Sequence, residues 1–547
     1  MKSLYHHPNF RENAWAAALF FALVQLLYWH TAPSGFVSDF TGLMARLDGA
    51  PLSAFWHCFG FPALHQVTNF FLYFFVKWFG AGGIGWHFVF TSMHVANATL
   101  GFALAKKIFA KNGQSSPTGP ALMASLLFLL SPYQAEVLIW RVCFNFLCCT
   151  FTMLASLLFL VKYFEGGNRW PLLASHGCFL LALFTFELAV ALPLLAVVFW
   201  FYHQKSARWQ AVFPVHALLL LAYFLLNKAI LGGWTGHYGE AVHLNFDLRT
   251  IASSCLKYFA KYLLWWREWP HGGKEWLMLF FEKPVVAWSG LAAGGLAFLG
   301  LMKTSARVGT SPTLVVGCSW LLFFLALAPV SNLYVAYILH GENDRYGYLA
   351  SLFFFIGLVA LLDAFPRWLR NGLVAAWLLA SVFFLQKMTG RWQQGTQIVQ
   401  QLLADFRWQD ATEVYVLASP ENYQGIPMFK DFSRENLAIK HALRYLANKP
   451  SDADFHQVAQ FNLTAPTDGF TVSRDSTAGI FHLQFNQWGN WWWLYGMGLG
   501  DYQTDQYRFR TEGNGCRVEM KQWPPIPIAI GKEAVFIVAQ GGRWEEL

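Results

Sequence analysis

The stretch Gly35-Phe36-Val37-Ser38-Asp39-Phe40 lies between the first long apolar segment of the chain and its first long polar loop. Its one charged residue, Asp39, therefore stands at the end of a segment apolar enough to be buried in lipid. A charge at the edge of a bilayer must reach water, an opposite charge or a substrate. We interpret Asp39 as a candidate functional residue; the alternative is a solvated aspartate in a loop.

The amino-acid composition indicates an integral membrane protein. Of the 547 residues, 56% are hydrophobic and only 13% are charged, whereas soluble domains carry about 25% charged residues. One soluble core cannot cover so much apolar surface, so lipid must cover it. The apolar segments predict an α-helical polytopic fold with about eleven transmembrane helices, at residues 14–30, 86–105, 121–132, 143–161, 171–184, 188–202, 212–231, 285–302, 314–330, 346–362 and 373–385.

Three other segments predict helices that lie at the membrane surface. Residues 40–59 and 251–266 mix polar and aromatic side chains at helical spacing, which is typical of interfacial helices. Residues 67–79 are apolar but short for a span, and glycines follow them. We interpret this segment as a re-entrant or interfacial helix.

Positive charges predict how the spans are oriented. If the N-terminus is cytoplasmic, every second span ends inside, and each of these exits is basic; the residues are Lys106, Lys107, Lys111, Lys162, Arg169, Lys205, Arg208, Lys303, Arg307, Arg367 and Arg370. The net charge of +8 is thus distributed as orienting clusters, and no patch for nucleic acid is predicted. The outer-face loops 31–85 and 232–284 then lie in the periplasm of a bacterium or in the lumen of a eukaryote; of these we expect the bacterial inner membrane.

The loops predicted to face outward hold the unusual charged residues, which are Asp39, Asp48, Glu136, Arg141, Glu187, Glu342, Asp344 and Arg345. An isolated charge is costly in apolar surroundings, so such groups pair or contact a ligand. Glu136 and Arg141 are close enough in sequence that they could neutralise each other. The sequence therefore predicts a cluster of ionisable groups on the outer face.

The composition changes near residue 390, which predicts a transmembrane domain over 1–389 and an extracytoplasmic soluble α+β domain over 390–547. Residues 413–417 and 534–538 alternate like strands, and residues 436–448 have a helical pattern. The tryptophan-rich run at 487–493 predicts stacking on sugars or anchoring at the headgroup layer, or else an internal core segment.

Several motifs together resemble the GT-C superfamily of membrane glycosyltransferases, most closely the transmembrane O-mannosyltransferases with tetratricopeptide repeats and their bacterial relatives. The resemblance covers about residues 1 to 390. The motifs are Thr68–Tyr73, Gly85–Phe88, Met93–Asn97, Ser131–Val137 followed by Arg141 and Asn145, Phe186–Glu187 followed by Ala191–Leu195, and Asp344–Ser351.

The resemblance implies an inverting transfer of a sugar from a polyprenyl-phosphate donor to a glycan, lipid or protein acceptor on the outer face. Asp39 matches the family's acidic residue in the first outer loop. As a general base it would deprotonate the acceptor hydroxyl during attack on the anomeric carbon. In the family this residue can instead help to bind a divalent metal, so Mg²⁺ or Mn²⁺ at Asp39 is left open.

The resemblance also implies roles for the other outer-face residues. Arg345 and Arg141 would bind the donor phosphate, because a guanidinium holds phosphate oxygens in a bidentate fork. Glu187, Glu136 and Glu342 would orient the substrate or position the arginines.

The sequence departs from the family pattern at four places. Ser38 replaces one of two adjacent acids in the first loop, and Leu64-His65-Gln66-Val67 replaces the Tyr-Arg-Pro-Leu stretch before the re-entrant helix. Phe186 replaces the lysine before the motif glutamate, and no tetratricopeptide repeats follow. Two alternatives are therefore kept: a transporter or flippase for lipid-linked glycans, and a catalytically silent scaffold. Transport usually leaves polar groups at the membrane midplane and internal repeats, whereas the charges here gather at one face.

Overall fold

The computed structural model describes residues 8–56, 63–111, 116–202, 208–234, 247–305, 312–331, 344–430, 437–463, 469–475, 479–485, 500–513, 515–522 and 534–547. The protein is mostly helical and ends in a small sheet domain. The predicted site residue Glu342 and the tryptophan-rich run at 487–493 lie outside the described residues.

The helices follow one another along the chain as α1 (Pro8–Tyr28), α2 (Asp39–Leu47), α3 (Gln66–Phe79), α4 (Gly83–Lys111), α5 (Thr118–Leu129), α6 (Ala135–Ile139), α7 (Phe144–Gly166), α8 (Arg169–Leu183), α9 (Leu192–Tyr202), α10 (Trp209–Leu231), α11 (Leu248–Leu264), α12 (His271–Glu282), α13 (Pro284–Ser305), α14 (Pro312–Leu327), α15 (Tyr348–Leu362), α16 (Arg367–Asp405) and α17 (Ala438–Tyr445). Helices α2, α3 and α11 occupy the three segments predicted to lie at the membrane surface.

Seven helices in the described part of the chain are long and apolar enough to cross a membrane. They span Phe10–Thr31, Gly83–Lys111, Phe144–Gly166, Trp209–Leu231, Thr313–Val330, Asp344–Leu362 and Arg367–Asp405. An eighth crossing is formed if α5 and the segment Pro132–Ile139, which are bent by 53° at their junction, count as one broken span.

The predicted count of eleven transmembrane helices is not confirmed. Two of the predicted spans correspond to shorter helices: α8 has 15 residues and α9 has 11. A straight helix needs about 20 residues to cross the hydrocarbon core.

Buried polar side chains fasten the central helices to one another. His94 on α4 bonds to the hydroxyl of Tyr348 on α15 (2.5 Å) through Nδ1 and to the carbonyl of Leu129 (3.1 Å) through Nε2. Asn97 donates to the same hydroxyl (3.3 Å) and to the carbonyl of Leu147 on α7 (3.0 Å). Two motif residues, His94 and Asn97, thus hold the helix bundle together.

Helix α16 joins the helix bundle to the sheet domain without a break. It is a continuous helix of 39 residues, and the predicted domain boundary at 389/390 falls inside it. The composition changes there because the helix leaves the apolar region. Its C-terminal half packs on the sheet domain, where Trp544 donates from Nε1 to the carbonyl of Leu402 (2.8 Å).

The described part of the sheet domain (residues 413–547) contains two sheets. The strands are β1 (Glu413–Tyr423), β2 (Ile426–Pro427), β3 (Asp454–Gln457), β4 (Gln460–Leu463), β5 (Phe470–Asp475), β6 (Ile480–Phe485), β7 (Tyr502–Gln503), β8 (Tyr507–Glu512), β9 (Gly515–Met520), β10 (Ala534–Gln540) and β11 (Arg543–Glu546). The first sheet is mixed: β1 pairs in parallel with β3, β4 and β10, while β10 pairs with β11 in antiparallel fashion. The second is antiparallel, in the order β5-β6-β9-β8-β7.

Two local predictions for this domain are confirmed. The alternating segments 413–417 and 534–538 lie in β1 and β10, and they pair with each other from Glu413 opposite Ala534 onward. The helical pattern at 436–448 contains α17.

The loop that carries Asp39 (residues 32–39, the Asp39 loop) has a backbone that only glycine fits at one position. Gly35 has a φ of +85°, and a Cβ there would lie 1.8 Å from the carbonyl oxygen of Ile139. The Gly35 carbonyl accepts a hydrogen bond from the backbone N–H of Arg141 (3.3 Å). The loop is therefore in close backbone contact with the end of α6.

Gly35→Ala is expected to destabilise the protein by about 2–3 kcal/mol, because the new methyl group meets backbone rather than a flexible side chain. Thermal unfolding of the detergent-purified protein measures the change. Gly177→Ala on α8 is the matched control, since nothing lies within 4 Å of a Cβ at that position. Equal melting temperatures of the Gly35→Ala variant and the wild type would contradict the close contact.

Candidate active site

Asp39 is the first residue of α2 and is half-buried. The residue before it, Ser38, has φ +56° and ψ −130°, a backbone conformation that residues other than glycine seldom adopt. The Ser38 N–H donates to the carbonyl of Met428 in the sheet domain (2.7 Å). The position of Asp39 is therefore fixed from two sides, by α6 through Gly35 and by the sheet domain.

Asp39 lies in the same charged environment as Glu136 and Arg345. Burial raises the pKa of the Cys143 thiol; Arg345 opposes this rise, and the carboxylates of Glu136 and Asp39 add to it. Three ionic groups from three separate segments of the chain therefore act on the same thiol. The fold brings together residues that are more than 300 positions apart in the sequence.

Glu136 holds Arg345 through both of its oxygens. One oxygen pairs with the guanidinium, and the other accepts the backbone N–H of Arg345 (2.7 Å). The guanidinium also lies over the rings of Trp140 (5.1 Å) and Tyr346 (4.9 Å). These contacts fix the direction of the guanidinium. The Arg345 side chain is 16% exposed, so a ligand can still reach it.

The structure gives Arg141 a different role from the predicted phosphate contact. Its side chain is completely buried and donates to the backbone carbonyls of Leu138 (3.0 Å), Thr31 (3.2 Å) and Ala32 (3.2 Å). The proposed neutralisation by Glu136 is also wrong, because Glu136 pairs with Arg345. Arg141 fastens the start of the Asp39 loop to the end of α6.

Glu187 pairs with a residue that the site prediction omitted. Its Oε2 lies 2.8 Å from Nε2 of His65, which is nearly buried, while the Glu187 side chain is 25% exposed. The N-terminus of α3 is fixed beside this pair, since Val67 N–H donates to the carbonyl of Phe184 (3.0 Å). The sequence offered one signal for His65, because it stands in a stretch that departs from the family's pattern.

A second charged network adjoins the Glu136–Arg345 pair, and of its residues the sequence analysis singled out only Asp344. The neighbour of Arg345, Asp344, is buried and pairs with Lys261 on one oxygen and Arg267 on the other. Lys261 comes from α11, and Arg267 follows that helix in a 3-10 turn. Asp344 and Arg345 therefore anchor their turn to two different parts of the fold.

Glu268 continues the network to α16. Arg391 donates to both of its oxygens at 3.0 Å in a fork, and Lys387 lies 2.8 Å from Oε2. Nε of Arg267 is 3.6 Å from Oε1. The sequence contained one signal for this network, the charged pair at 267–268 within an aromatic run. The partners of Glu268 on α16 lie more than 100 residues away in the sequence.

The pKa values in this network follow from burial and from the excess of cations. Burial would raise the pKa of Glu268, but Arg267, Arg391 and Lys387 lower it to about 2. Burial lowers the pKa of Lys274 on α12 to about 8; Glu268 opposes this shift, and the neighbouring cations add to it. Lys274 therefore stands in a strongly positive environment.

The sheet domain also contacts the first polar loop beyond Asp39. Asp48, just after α2, accepts hydrogen bonds from Arg444 (3.1 Å) and the hydroxyl of Tyr445 (3.1 Å) on α17. Within the described ranges, no three His, Cys, Asp or Glu side chains come together as a metal site.

No protein-family profile matches the sequence, and no curated protein matches it at a significant level.

Glu268→Gln is expected to lower the stability by about 3–5 kcal/mol, because it leaves the mostly buried guanidinium of Arg391 without a counter-charge. Thermal unfolding in detergent measures this loss. The matched control is Glu165→Gln, which removes an exposed ion pair to Lys107 and should cost less than about 1 kcal/mol.

The effect of Glu268→Gln should depend on pH. The folded protein holds the pKa of Glu268 at about 2, below its ordinary value of 4.5. The contribution of the carboxylate is therefore full above pH 4.5 and is lost as the pH falls toward 2. A difference in melting temperature between wild type and variant that stays constant as the pH falls from 4.5 toward 2 would contradict this assignment.

Proposed function

We propose that the protein is an integral-membrane glycosyltransferase of the GT-C type that transfers a sugar from a polyprenyl-phosphate donor to an acceptor, with inversion at the anomeric carbon. The observation that carries the proposal is the placement of Asp39. A half-buried carboxylate on a strained backbone and an arginine that a second carboxylate keeps in one direction both act electrostatically on the Cys143 thiol, so the fold brings them to the same region. Such clusters at the end of a helix bundle favour chemistry at the membrane surface.

The proposed reaction needs a base and a group that stabilises the leaving phosphate. Asp39 takes the proton of the acceptor hydroxyl while the hydroxyl oxygen of the acceptor attacks the anomeric carbon. The bond from that carbon to the phosphate oxygen breaks, and polyprenyl phosphate leaves with the electron pair. Removal of the proton during the attack avoids an unstable cationic intermediate.

Arg345 is the group we assign to the donor phosphate. A guanidinium binds phosphate oxygens with parallel N–H bonds, and Glu136 fixes this one before the donor arrives. Such preorganisation lowers the barrier because no rearrangement is needed when charge develops on the leaving oxygen. Glu187, positioned by His65, is assigned to the sugar hydroxyls.

The proposed orientation follows the positive-inside pattern of the loops. It places the site and the sheet domain in the periplasm of a bacterial inner-membrane protein, with the N-terminus in the cytoplasm. A donor with a lipid tail then reaches Arg345 laterally from the bilayer, and the acceptor, whether a glycan, a lipid or a protein, approaches beside the sheet domain.

Asp39→Asn should reduce the rate of sugar transfer at least about a hundredfold, since the substitution removes the base and keeps the side-chain volume. The assay offers the purified protein in nanodiscs a panel of polyprenyl-phosphate sugars and measures released polyprenyl phosphate. Asp48→Asn is the matched control: it changes an exposed aspartate of the same loop that pairs with Arg444, and it should turn over donor like the wild type.

The outcomes separate the alternatives. Equal turnover by the Asp39→Asn variant and the wild type would keep the enzyme but exclude Asp39 as its base, and Glu187 would be tested next. Donor binding without turnover by any form would reject the glycosyltransferase and favour transport or a scaffold.

A further inference from the structure

One carboxylate in the outer-face network is surrounded by four basic side chains. We call this group the Glu268 cluster; it comprises Glu268, Arg267, Lys274, Lys387 and Arg391. The carboxylate is already saturated by the fork of Arg391 and the ammonium of Lys387. The cluster therefore keeps positive charge that its own carboxylate does not balance.

Two side chains in the cluster have donors without an acceptor among the described residues. The ammonium of Lys274 makes no hydrogen bond or ion pair there, and the side chain is half-buried. Nε and Nη2 of Arg267 are buried and have no hydrogen-bond partner in the same part of the chain. Buried donors are nearly always satisfied in folded proteins, so the Arg267 guanidinium, together with the unpaired ammonium of Lys274, favours an anion bound at this cluster.

The surroundings of the cluster are apolar and exposed. Helix α12, which carries Lys274, exposes Trp276 (63%) and Leu279 (56%), and Trp269 just before the helix is also exposed. Lys387 on α16 is 46% exposed. Tryptophan beside lysine is typical of the headgroup layer, where one end of a side chain meets lipid and the other meets water.

We propose that the Glu268 cluster binds the phosphate of an anionic bilayer phospholipid, whose acyl chains lie along Trp276 and Leu279 of α12. The phosphate diester accepts hydrogen bonds from Lys274 and Lys387, and its charge balances the excess of cations around Glu268. This site is separate from the donor contact at Arg345 and does not depend on the proposed transferase activity. A bound phosphate would also favour the charged form of Lys274 despite its lowered pKa.

The site predicts a lipid preference that native mass spectrometry can measure. The full-length protein, delipidated in detergent, is incubated with equal amounts of phosphatidylglycerol and phosphatidylcholine. The wild type should retain more phosphatidylglycerol than phosphatidylcholine. Lys274→Gln should reduce that preference about fivefold, as expected for one basic residue at an anionic surface, and the Lys274→Gln/Lys387→Gln double variant should reduce it further.

Lys228→Gln is the matched control. Lys228 is an exposed lysine on α10 whose ammonium donates to the carbonyl of Gly232 (2.7 Å), and its removal should leave the lipid preference unchanged. Lys274→Gln removes no ion pair of the described residues, so its melting temperature should equal that of the wild type, which separates lost binding from lost folding.

Three results would overturn the proposal. The first is equal retention of the two lipids by the wild type. The second is a loss in Lys228→Gln as large as in Lys274→Gln. The third is displacement of the lipid by millimolar inorganic phosphate, which would mean that the cluster takes free phosphate rather than a headgroup.

Discussion

A carboxylate removed from water needs positive charge close to its oxygens, and Asp344 obtains it from Lys261 and Arg267. Burying these ions is costly unless each finds a partner in good geometry. The arrangement therefore fixes the end of α11 against the turn that begins α15. Because Arg345 is the next residue, the same constraint directs its guanidinium to the opposite side, where Glu136 receives it.

The network extends this constraint to the sheet domain. Glu268 joins the turn after α11 to α16 through Arg391 and Lys387, and α16 continues without interruption into the packing of the sheet domain. The Asp39 loop lies against the same helix, where the Gly35 N–H donates to Thr396 (3.4 Å). The loop with the candidate base and the loops with the cations thus share one rigid support.

The sequence predicted the features that depend on local pattern. Alternation was sufficient for β1 and β10, and the basic exits together with the apolar runs were sufficient for a polytopic membrane protein. Asp39 could be singled out because it stands at the end of an apolar segment. Which charged residues pair with each other could not be predicted, because sequence spacing shows only which residues are close along the chain. Arg141 is five residues from Glu136, yet Glu136 pairs with Arg345, 209 residues away.

The continuity of α16 escaped prediction for another reason. Hydropathy indicates which residues prefer lipid, whereas a helix ends where its backbone hydrogen bonds end. Residues 386–405 are polar but contain no proline, so the helix continues beyond the apolar region.

On the proposed function, the position of the sheet domain limits how substrates reach Asp39. The Ser38–Met428 hydrogen bond and the contacts of Asp48 with α17 place this domain over the first polar loop. Exposed ion pairs such as Asp48–Arg444 contribute about 0–1 kcal/mol, so the continuous helix α16 is what keeps the domain in place. A polyprenyl chain must stay in the bilayer, while a hydroxyl acceptor must come from water. The two substrates therefore meet at Asp39 from different sides, and the surface of the sheet domain that borders the Asp39 loop is where acceptor specificity would be set.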